Sequence, residues 1–327
     1  MRKVYAQISG LGMYVPARVL TNADLERMVD TSDAWITQRT GIKERRLVEK
    51  ETLTDLATIA SKQALENAKV RSEDLDLIIV STTTPDMQFP STSCLVQKEI
   101  GAKNAACFDL AAACTGFIYA LGVANQFILS GTYKNILVIA GEVLSSITDW
   151  KDRSTCVLFG DGAGAVVIQP TTEKRGIISV YLGADGNFAD FLKVPAGGSR
   201  LPASKETVEK RQHFLKMKGN ETFKIAVRAM GEAAEKALSL AGVSAEEVDC
   251  LIPHQANIRI IHSVAKRLGI SEDKVFVNID RYGNMSSASV AVALYEAVEQ
   301  GRIREGTIAA LIAFGSGFTW GGCVIRW

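Results

Sequence analysis

The chain has 327 residues, of which 47% are hydrophobic and 22% charged, with 37 Lys+Arg against 36 Asp+Glu. A net charge of +1 excludes a whole-protein basic field for nucleic acid, leaving at most a local patch. A mean hydropathy of +0.10, with apolar runs such as Thr307–Phe314, falls far short of a membrane-spanning helix.

Arg2 and Lys3 are followed by Gln7, Ser9 and Gly10 with no small-residue cleavage pattern. The opening segment therefore reads as a first strand, Val4–Leu11, and the expected location is cytoplasmic. Helical stretches at Leu53–Ala68, Thr115–Leu129, Phe223–Leu240 and Ser286–Val298 separate apolar β-like runs. Those runs are Leu77–Val80, Ala105–Leu110, Ile136–Ala140, Ala165–Ile168, Leu251–Pro253, Val275–Ile279, Thr307–Phe314 and Cys323–Ile325. Such alternation predicts an α/β protein with a largely buried sheet. The polar stretch Gly197–Gly219 reads as a surface loop over a ligand.

The two halves resemble each other. ALENAKVRSEDLDLIIV at 64–80 aligns with ALSLAGVSAEEVDCLIP at 237–253 at an offset of 173 residues. Cys114 to Gly131 and Asn284 to Gly301 are both 17 residues apart, at an offset of 170. One such match fits any pair of βα units; two in the same order favour duplication. Halves packed about a pseudo-twofold axis would bring Cys114 and Asn284 to matching helix N-termini, with His254 just beyond the strand Leu251–Pro253.

The six cysteines (94, 107, 114, 156, 250 and 323) form no CxxC pair, so neither a zinc site nor a disulfide framework is expected. Cys107, Cys156, Cys250 and Cys323 sit in apolar β-like runs and read as packing. Cys114 lies where a strand gives way to a helix through small residues, and the helix dipole there favours thiolate. Cys94, near another helix start, is its rival. Among the three histidines, His213 falls in a Lys-rich loop facing solvent. His262 sits at the edge of the polar face of the helix Asn257–Leu268, opposite its apolar face, and reads as a surface residue. His254 follows a strand, where α/β sheets bind ligands; a hydrogen-bonded turn histidine is the lesser alternative, and by elimination Cys114 with His254 is the best nucleophile–imidazole pair. Asn284 is by itself a turn or N-cap residue, raised by its correspondence with Cys114. Gly160–Ala165 leads into a strand and not a helix, so it is no dinucleotide fingerprint. Gly315-Ser316-Gly317 is either an oxyanion-binding turn or a plain hairpin.

Several segments together resemble the β-ketoacyl-acyl-carrier-protein synthase III family. They are Asp30–Ile42 (DTSDAWITQRTGI), Ala-Cys-Thr-Gly-Phe around Cys114, Pro253–Asn257 (PHQAN), Gly283–Ser286 and Phe314–Gly321 (FGSGFTWG). The match runs through essentially the whole chain. It implies a duplicated thiolase-like fold, layered α/β/α/β/α, with halves 1–172 and 173–327. It implies decarboxylative condensation of a short acyl-CoA, acetyl or branched, with malonyl-acyl carrier protein through an acyl-cysteine, with no metal or cofactor.

The implied catalytic residues are Cys114, His254 and Asn284, with backbone N–H groups of Cys114 and Gly315 as oxyanion donors. Coenzyme A would meet Trp35, Arg39, Arg153, Gly219, Phe223, Ala256 and Asn257. The carrier protein would meet Lys224, Gln255, Arg259, Lys266 and Arg267. The family is homodimeric, and Phe89 corresponds to a residue reaching the partner's acyl pocket. Ser316 departs from the glycine that many members carry. A secondary-metabolism condensing enzyme, a non-catalytic CoA-binding scaffold and a thiol hydrolase are the competing readings.

Overall fold

The computed structural model describes residues 4–327, so Arg2 and Lys3 of the opening segment lie outside the described residues. The chain begins with β1 (Tyr5–Tyr14), then β2 (Val19–Thr21), α1 (Asn22–Glu26), α2 (Asp33–Thr40) and β3 (Glu44–Arg46). A first set of βα units follows: α3 (Leu53–Ala68), β4 (Leu77–Ser81), α4 (Thr92–Ile100), β5 (Ala106–Leu110), α5 (Gly116–Leu129), β6 (Ile136–Val143), α6 (Arg153–Cys156) and β7 (Asp161–Thr171). Next come β8 (Gly176–Ala184), β9 (Leu192–Lys193), α7 (Lys205–Glu209) and β10 (Lys216–Met217). The last set is α8 (Gly219–Ala241), β11 (Cys250–Pro253), α9 (Ile258–Leu268), α10 (Ile279–Tyr282), α11 (Ala288–Glu299), β12 (Ile308–Gly315) and β13 (Thr319–Arg326).

Two sheets carry the fold, ordered β1-β7-β6-β4-β5 and β8-β13-β12-β11. In each, the first two pairings are antiparallel and those further along parallel. The second sheet thus repeats the first in order and sense, as expected for duplicated halves. Its fifth position is reduced to one parallel bridge between Leu251 and Val275. The strand expected at Val275–Ile279 is therefore absent. Asn278 N–H donates to the Gln255 side chain at 3.0 Å, and the chain turns into α10 at Ile279.

Helices α3 and α4 cover the outer face of the first sheet, where Leu56, Ala60 and Val96 pack on Ile78 and Ile139. α8 and α9 cover the second, with Met230, Ala234, Ile261 and Val264 against Leu251 and Ile312. Between the sheets lie α5 and α11, whose Phe117, Leu121, Val290 and Leu294 meet apolar residues of both. A helix buried on every side needs apolar residues around its whole circumference, and α5 (GFIYALGVANQFIL) supplies them. The result is the five-layer α/β/α/β/α arrangement of the thiolase-like fold. Among the described residues, no helix is long and apolar enough to cross a membrane.

The glycines of Gly160–Ala165 serve packing. A Cβ on Gly164 would stand 2.6 Å from Ala291 Cβ and 3.1 Å from Val292 N. β7 and α11 can touch only because that Cβ is missing. Gly164→Ala is accordingly expected to lower stability by about 1–3 kcal/mol, read as a drop in the urea midpoint at unchanged slope.

Three local expectations need correction. Cys156 lies in the short helix α6 and not in a strand, although it is buried as expected. The Gly197–Gly219 stretch is no simple loop. It holds α7 and β10, β10 pairs with β9, and Arg211 Nε donates to the buried Asp149 at 2.9 Å. His213 within it is half-buried, its Nε2 2.9 Å from Thr207 Oγ1, because the folded excursion gives it a partner in place of solvent.

Candidate active site

A cavity of about 1030 Å³ opens where the two sheets meet. Cys114, His254, Asn284 and Gly315 all line it, so residues 170 positions apart in the chain share one space. Cys114 and Asn284 arrive from matching places in the two halves, the turns before α5 and before α11, and His254 comes from just beyond β11.

The nucleophile turn is tight. Ala113 adopts φ 47°, a left-handed conformation that costs a residue with a Cβ roughly 1 kcal/mol or more. Gly283, at the matching place before Asn284, has φ 64°. Thr319 Oγ1 donates to Ala112 O at 3.0 Å, and Thr115 Oγ1 donates to Thr319 O at 3.2 Å. These bonds clamp the β12–β13 hairpin onto the Cys114 turn. A Cβ on Gly315 would lie 2.7 Å from Cys114 N, so the two backbones touch only because residue 315 is glycine. The Gly315–Gly317 segment is thus a hairpin turn and also a neighbour of the nucleophile's amide. Ser316 Oγ donates to Leu192 O, tying the turn to β9.

Burial pushes the Cys114 thiol up to about 12, while hydrogen bonds from Ser286 and from its own backbone oppose that shift. This corrects the expected resting thiolate: desolvation outweighs the helix terminus, and the sulfur rests as a thiol. Burial holds the His254 imidazole down at about 3, so it is neutral throughout the physiological range. Its backbone N–H donates to Ile312 O at 2.7 Å, while its Nδ1 is buried with no partner among the described residues. The Asn284 backbone is held on both sides, by Leu158 O at 2.8 Å and Gly160 N at 3.0 Å. Its Oδ1 accepts from Ser286 N–H at 2.8 Å, which fixes the amide orientation and leaves Nδ2 as the donor.

Cys94 is exposed on α4, and neither it nor His262 is among the cavity-lining residues. His262 is exposed, with Nδ1 3.0 Å from Glu272.

Trp35, Arg39, Gly219, Phe223, Ala256 and Asn257 line the cavity toward its mouth. Arg153 lies 4.7 Å over the Trp35 ring, too close to admit a base between them, and pairs with Asp30 at 3.6 Å. Asn257 caps α9 through Arg259 N–H at 2.9 Å and donates to Arg39 O at 3.0 Å.

Lys224 and Arg259 are exposed at the rim, and Lys266 is exposed further along α9. Arg267 is engaged by Glu235 at 3.0 Å. Gln255 must be corrected. It is 1% exposed, its amide donates to Pro253 O at 2.7 Å and Phe276 O at 3.2 Å, and it braces the His254 loop from inside. It can meet no carrier protein. Phe89 is 83% exposed and does not line this chain's own cavity.

Two features escaped sequence reasoning. One is the apolar wall of Leu144, Phe159, Leu192, Leu215 and Met217, assembled from four separate segments. The other is Glu142, fully buried in β6 and hydrogen-bonded by Thr83 N–H at 3.1 Å and Thr84 Oγ1 at 2.6 Å. A lone acid in the otherwise apolar run ILVIAGEV was its signal.

A half-buried cysteine sharing one cavity with a buried imidazole and a carboxamide, with Gly315 packed against the cysteine's backbone amide, on a duplicated five-layer fold, defines the class as a thiolase-fold acyl-transferring condensing enzyme. Residues 108–186 match 3-oxoacyl-[acyl-carrier-protein] synthase III, and residues 238–327 match that family's C-terminal part. The chain belongs to the 3-oxoacyl-[acyl-carrier-protein] synthase III family. It is 56% identical over 326 residues to the β-ketoacyl-[acyl-carrier-protein] synthase III of Caldanaerobacter subterraneus subsp. tengcongensis, covering 99% of this chain and 98% of that one. Identity to the Desulfitobacterium hafniense enzyme of the same name is 57%, covering 98% and 97%. The crystal structure of 3-oxoacyl-[acyl-carrier-protein] synthase III from Aquifex aeolicus superposes with a TM-score of 0.92 at 50% identity, covering 98% of this chain and all of that one.

Proposed function

We propose that this enzyme starts fatty acid synthesis by condensing a short acyl-CoA, acetyl or branched, with malonyl-acyl carrier protein. The observation that carries this reading is the convergence of Cys114, His254 and Asn284 on one cavity, with Gly315 against the Cys114 amide.

In the first half-reaction Cys114 Sγ attacks the thioester carbonyl. The backbone N–H groups of Cys114 and Gly315 hold the oxyanion, and coenzyme A leaves an acyl-enzyme. The apolar wall at Leu144, Phe159, Leu192, Leu215 and Met217 receives the acyl chain. In the second, malonyl on its carrier loses CO₂, and its thioester oxygen gathers the enolate charge. His254 Nε2–H and Asn284 Nδ2 donate to that oxygen. The neutrality of His254 suits it to donation, and its buried setting strengthens the bond. The carbanion attacks acyl-Cys114 and frees the β-ketoacyl carrier. This chemistry calls for no metal or redox cofactor.

Arg39 at the mouth suits a CoA phosphate. Trp35 would stack the adenine once Arg153 swings off the ring. Gly219, Phe223, Ala256 and Asn257 would border the pantetheine arm. The exposed cations Lys224, Arg259 and Lys266, with Arg267 behind them, form the docking face for an acidic carrier protein. Phe89, exposed on its own subunit, fits a homodimer in which it closes the partner's acyl pocket. The enzyme is proposed to act in the cytoplasm, as two similar halves, 1–172 and 173–327.

Intact-protein mass spectrometry after exposure to a panel of acyl-CoAs tests the reading. One acyl group per chain supports it, and rapid release of free acid would make the protein a hydrolase. Charge reversal at Arg259 tests the docking face. Arg259→Glu is expected to raise KM for the carrier-bound substrate about tenfold at low salt, with the gap closing as ionic strength rises. A KM insensitive to both would remove the patch from the scheme.

A further inference from the structure

The turn that presents Asn284 is led into by α10, four residues long and too short to hold itself as a helix. One buried carboxylate grips it at both ends. Glu296 on α11 accepts from Asn278 Nδ2, just before α10, at 2.8 Å, and from Tyr282 Oη, its last residue, at 2.7 Å. Arg281 adds a forked pair, Nη1 to Oε1 at 2.9 Å and Nη2 to Oε2 at 2.7 Å. Each carboxylate oxygen therefore takes two hydrogen bonds. Asn278 is 1%, Tyr282 7% and Glu296 8% exposed, so water has little room to replace these partners. An asparagine before a helix ordinarily folds its side chain back as a cap; Asn278 makes no such bond and gives its amide to Glu296.

The network continues to His254. The Asn278 backbone N–H donates to Gln255 Oε1 at 3.0 Å, and Gln255 Nε2 donates to Pro253 O and Phe276 O, on either side of the His254 loop. Hydrogen bonds thus run from the residue after His254, through Asn278 and Glu296, to Tyr282, two positions before Asn284. Gly283 between them is held by its own N–H on Ile279 O at 2.9 Å. We propose that Glu296 is a positioning residue for decarboxylation. Through Tyr282 and Arg281 it sets Asn284, and through Asn278 and Gln255 it sets His254, so the two donors are held as one unit around the enolate oxygen. This rests on the reading of His254 and Asn284 as the enolate donors.

None of Gln255, Asn278, Tyr282 and Glu296 lines the cavity, so they act on the reaction only through the residues they hold. A buried ion pair gives little net stability over apolar packing of the same size. What four directional bonds supply is placement, and two donors converging on one oxygen need it, because they stabilise developing charge only when already aimed at it. The network is confined to residues 253–296, whereas the Cys114 turn and Gly315, assigned to acylation, lie outside it. Glu296 should therefore matter to one half-reaction and not to the other. A mere brace for α11 would affect both.

The test is rapid-quench kinetics on the full-length enzyme, with acylation by acetyl-CoA and CO₂ release from malonyl-acyl carrier protein by the preformed acyl-enzyme measured separately. Glu296→Gln keeps the side chain's size but turns one acceptor into a donor facing other donors. It is expected to slow CO₂ release about 10–10²-fold, the scale of a small misplacement of catalytic groups, with acylation within about threefold of wild type. Tyr282→Phe removes a single bond and should show the same split at smaller size. Adding Glu296→Gln to Asn284→Ala should cost clearly less than the product of the two single losses, since a donor already deleted cannot be misplaced. Unchanged CO₂ release in both single variants, equal slowing of both steps, or losses that simply multiply would overturn the proposal. If Glu296→Gln fails to fold, Tyr282→Phe carries the step comparison and the double-variant cycle. Wild-type CO₂ release in Asn284→Ala alone would instead refute the underlying reading of the donors, a separate outcome.

Discussion

Cys114→Ala is expected to take up no acyl group from acyl-CoA and to lower overall condensation by about 10⁴-fold or more, the scale seen when a covalent nucleophile is removed. Peptide mapping after incubation with labelled acyl-CoA provides the measurement. The other five cysteines are poor substitutes: Cys156, Cys250 and Cys323 are buried, Cys107 is half-buried with its thiol pushed up to about 12, and Cys94 is exposed but away from the cavity. Stability should change by less than about 1 kcal/mol, since a partly exposed turn residue losing one sulfur has little packing to lose. Label appearing on Cys94 in this variant at the wild-type rate would displace Cys114 from its role.

Asn284→Ala is expected to leave acylation within about threefold of wild type but to slow decarboxylation about 10²–10³-fold, the usual effect of deleting one donor to a developing oxyanion. Rapid-quench measurement of CO₂ release from the preformed acyl-enzyme separates the two steps. The asymmetry follows from the proposed roles: Asn284 Nδ2 would donate to the malonyl thioester, whereas the oxyanion of acylation would fall to the backbone of Cys114 and Gly315. Since Asn284 Oδ1 also holds Ser286 N–H at 2.8 Å, Asn284→Asp is the control. Aspartate keeps the acceptor and lacks the donor. A restored rate in Asn284→Asp would make the residue a brace for the turn and not an enolate donor.

Much of the scaffold could be read from periodicity. The strands at Leu77–Ser81, Ile136–Val143 and Ile308–Gly315 and the helices α3, α5, α8 and α11 stand within a few residues of where patterning put them. The failures share a cause. β8 was overlooked because GIISVYLGA pairs with β13 through partners that neighbouring residues do not announce. Val275–Ile279 has a strand's composition, yet ladder formation stops after Val275, where Gln255 takes up the Asn278 N–H.

The site divides in a similar way. Small residues before a helix, a histidine after a strand and an asparagine at the matching place in the second half are local or repeating signals, so Cys114, His254 and Asn284 were legible in one dimension. Protonation and exposure were not, because they depend on what distant segments bring alongside. A helix start argues for thiolate, whereas walls drawn from both halves desolvate Cys114 and keep it a thiol. Gln255 stands in the same pentapeptide as His254, and only its contacts with Pro253 and Phe276 turn it inward. Glu142 draws its hydrogen-bond donors Thr83, Thr84 and Ser287 from two remote stretches of chain. Composition and period act through neighbours within a few residues and can set element type and rough order; dielectric, hydrogen-bond partners and cavity walls come from close packing of elements far apart in sequence, and they exist only once the chain has folded.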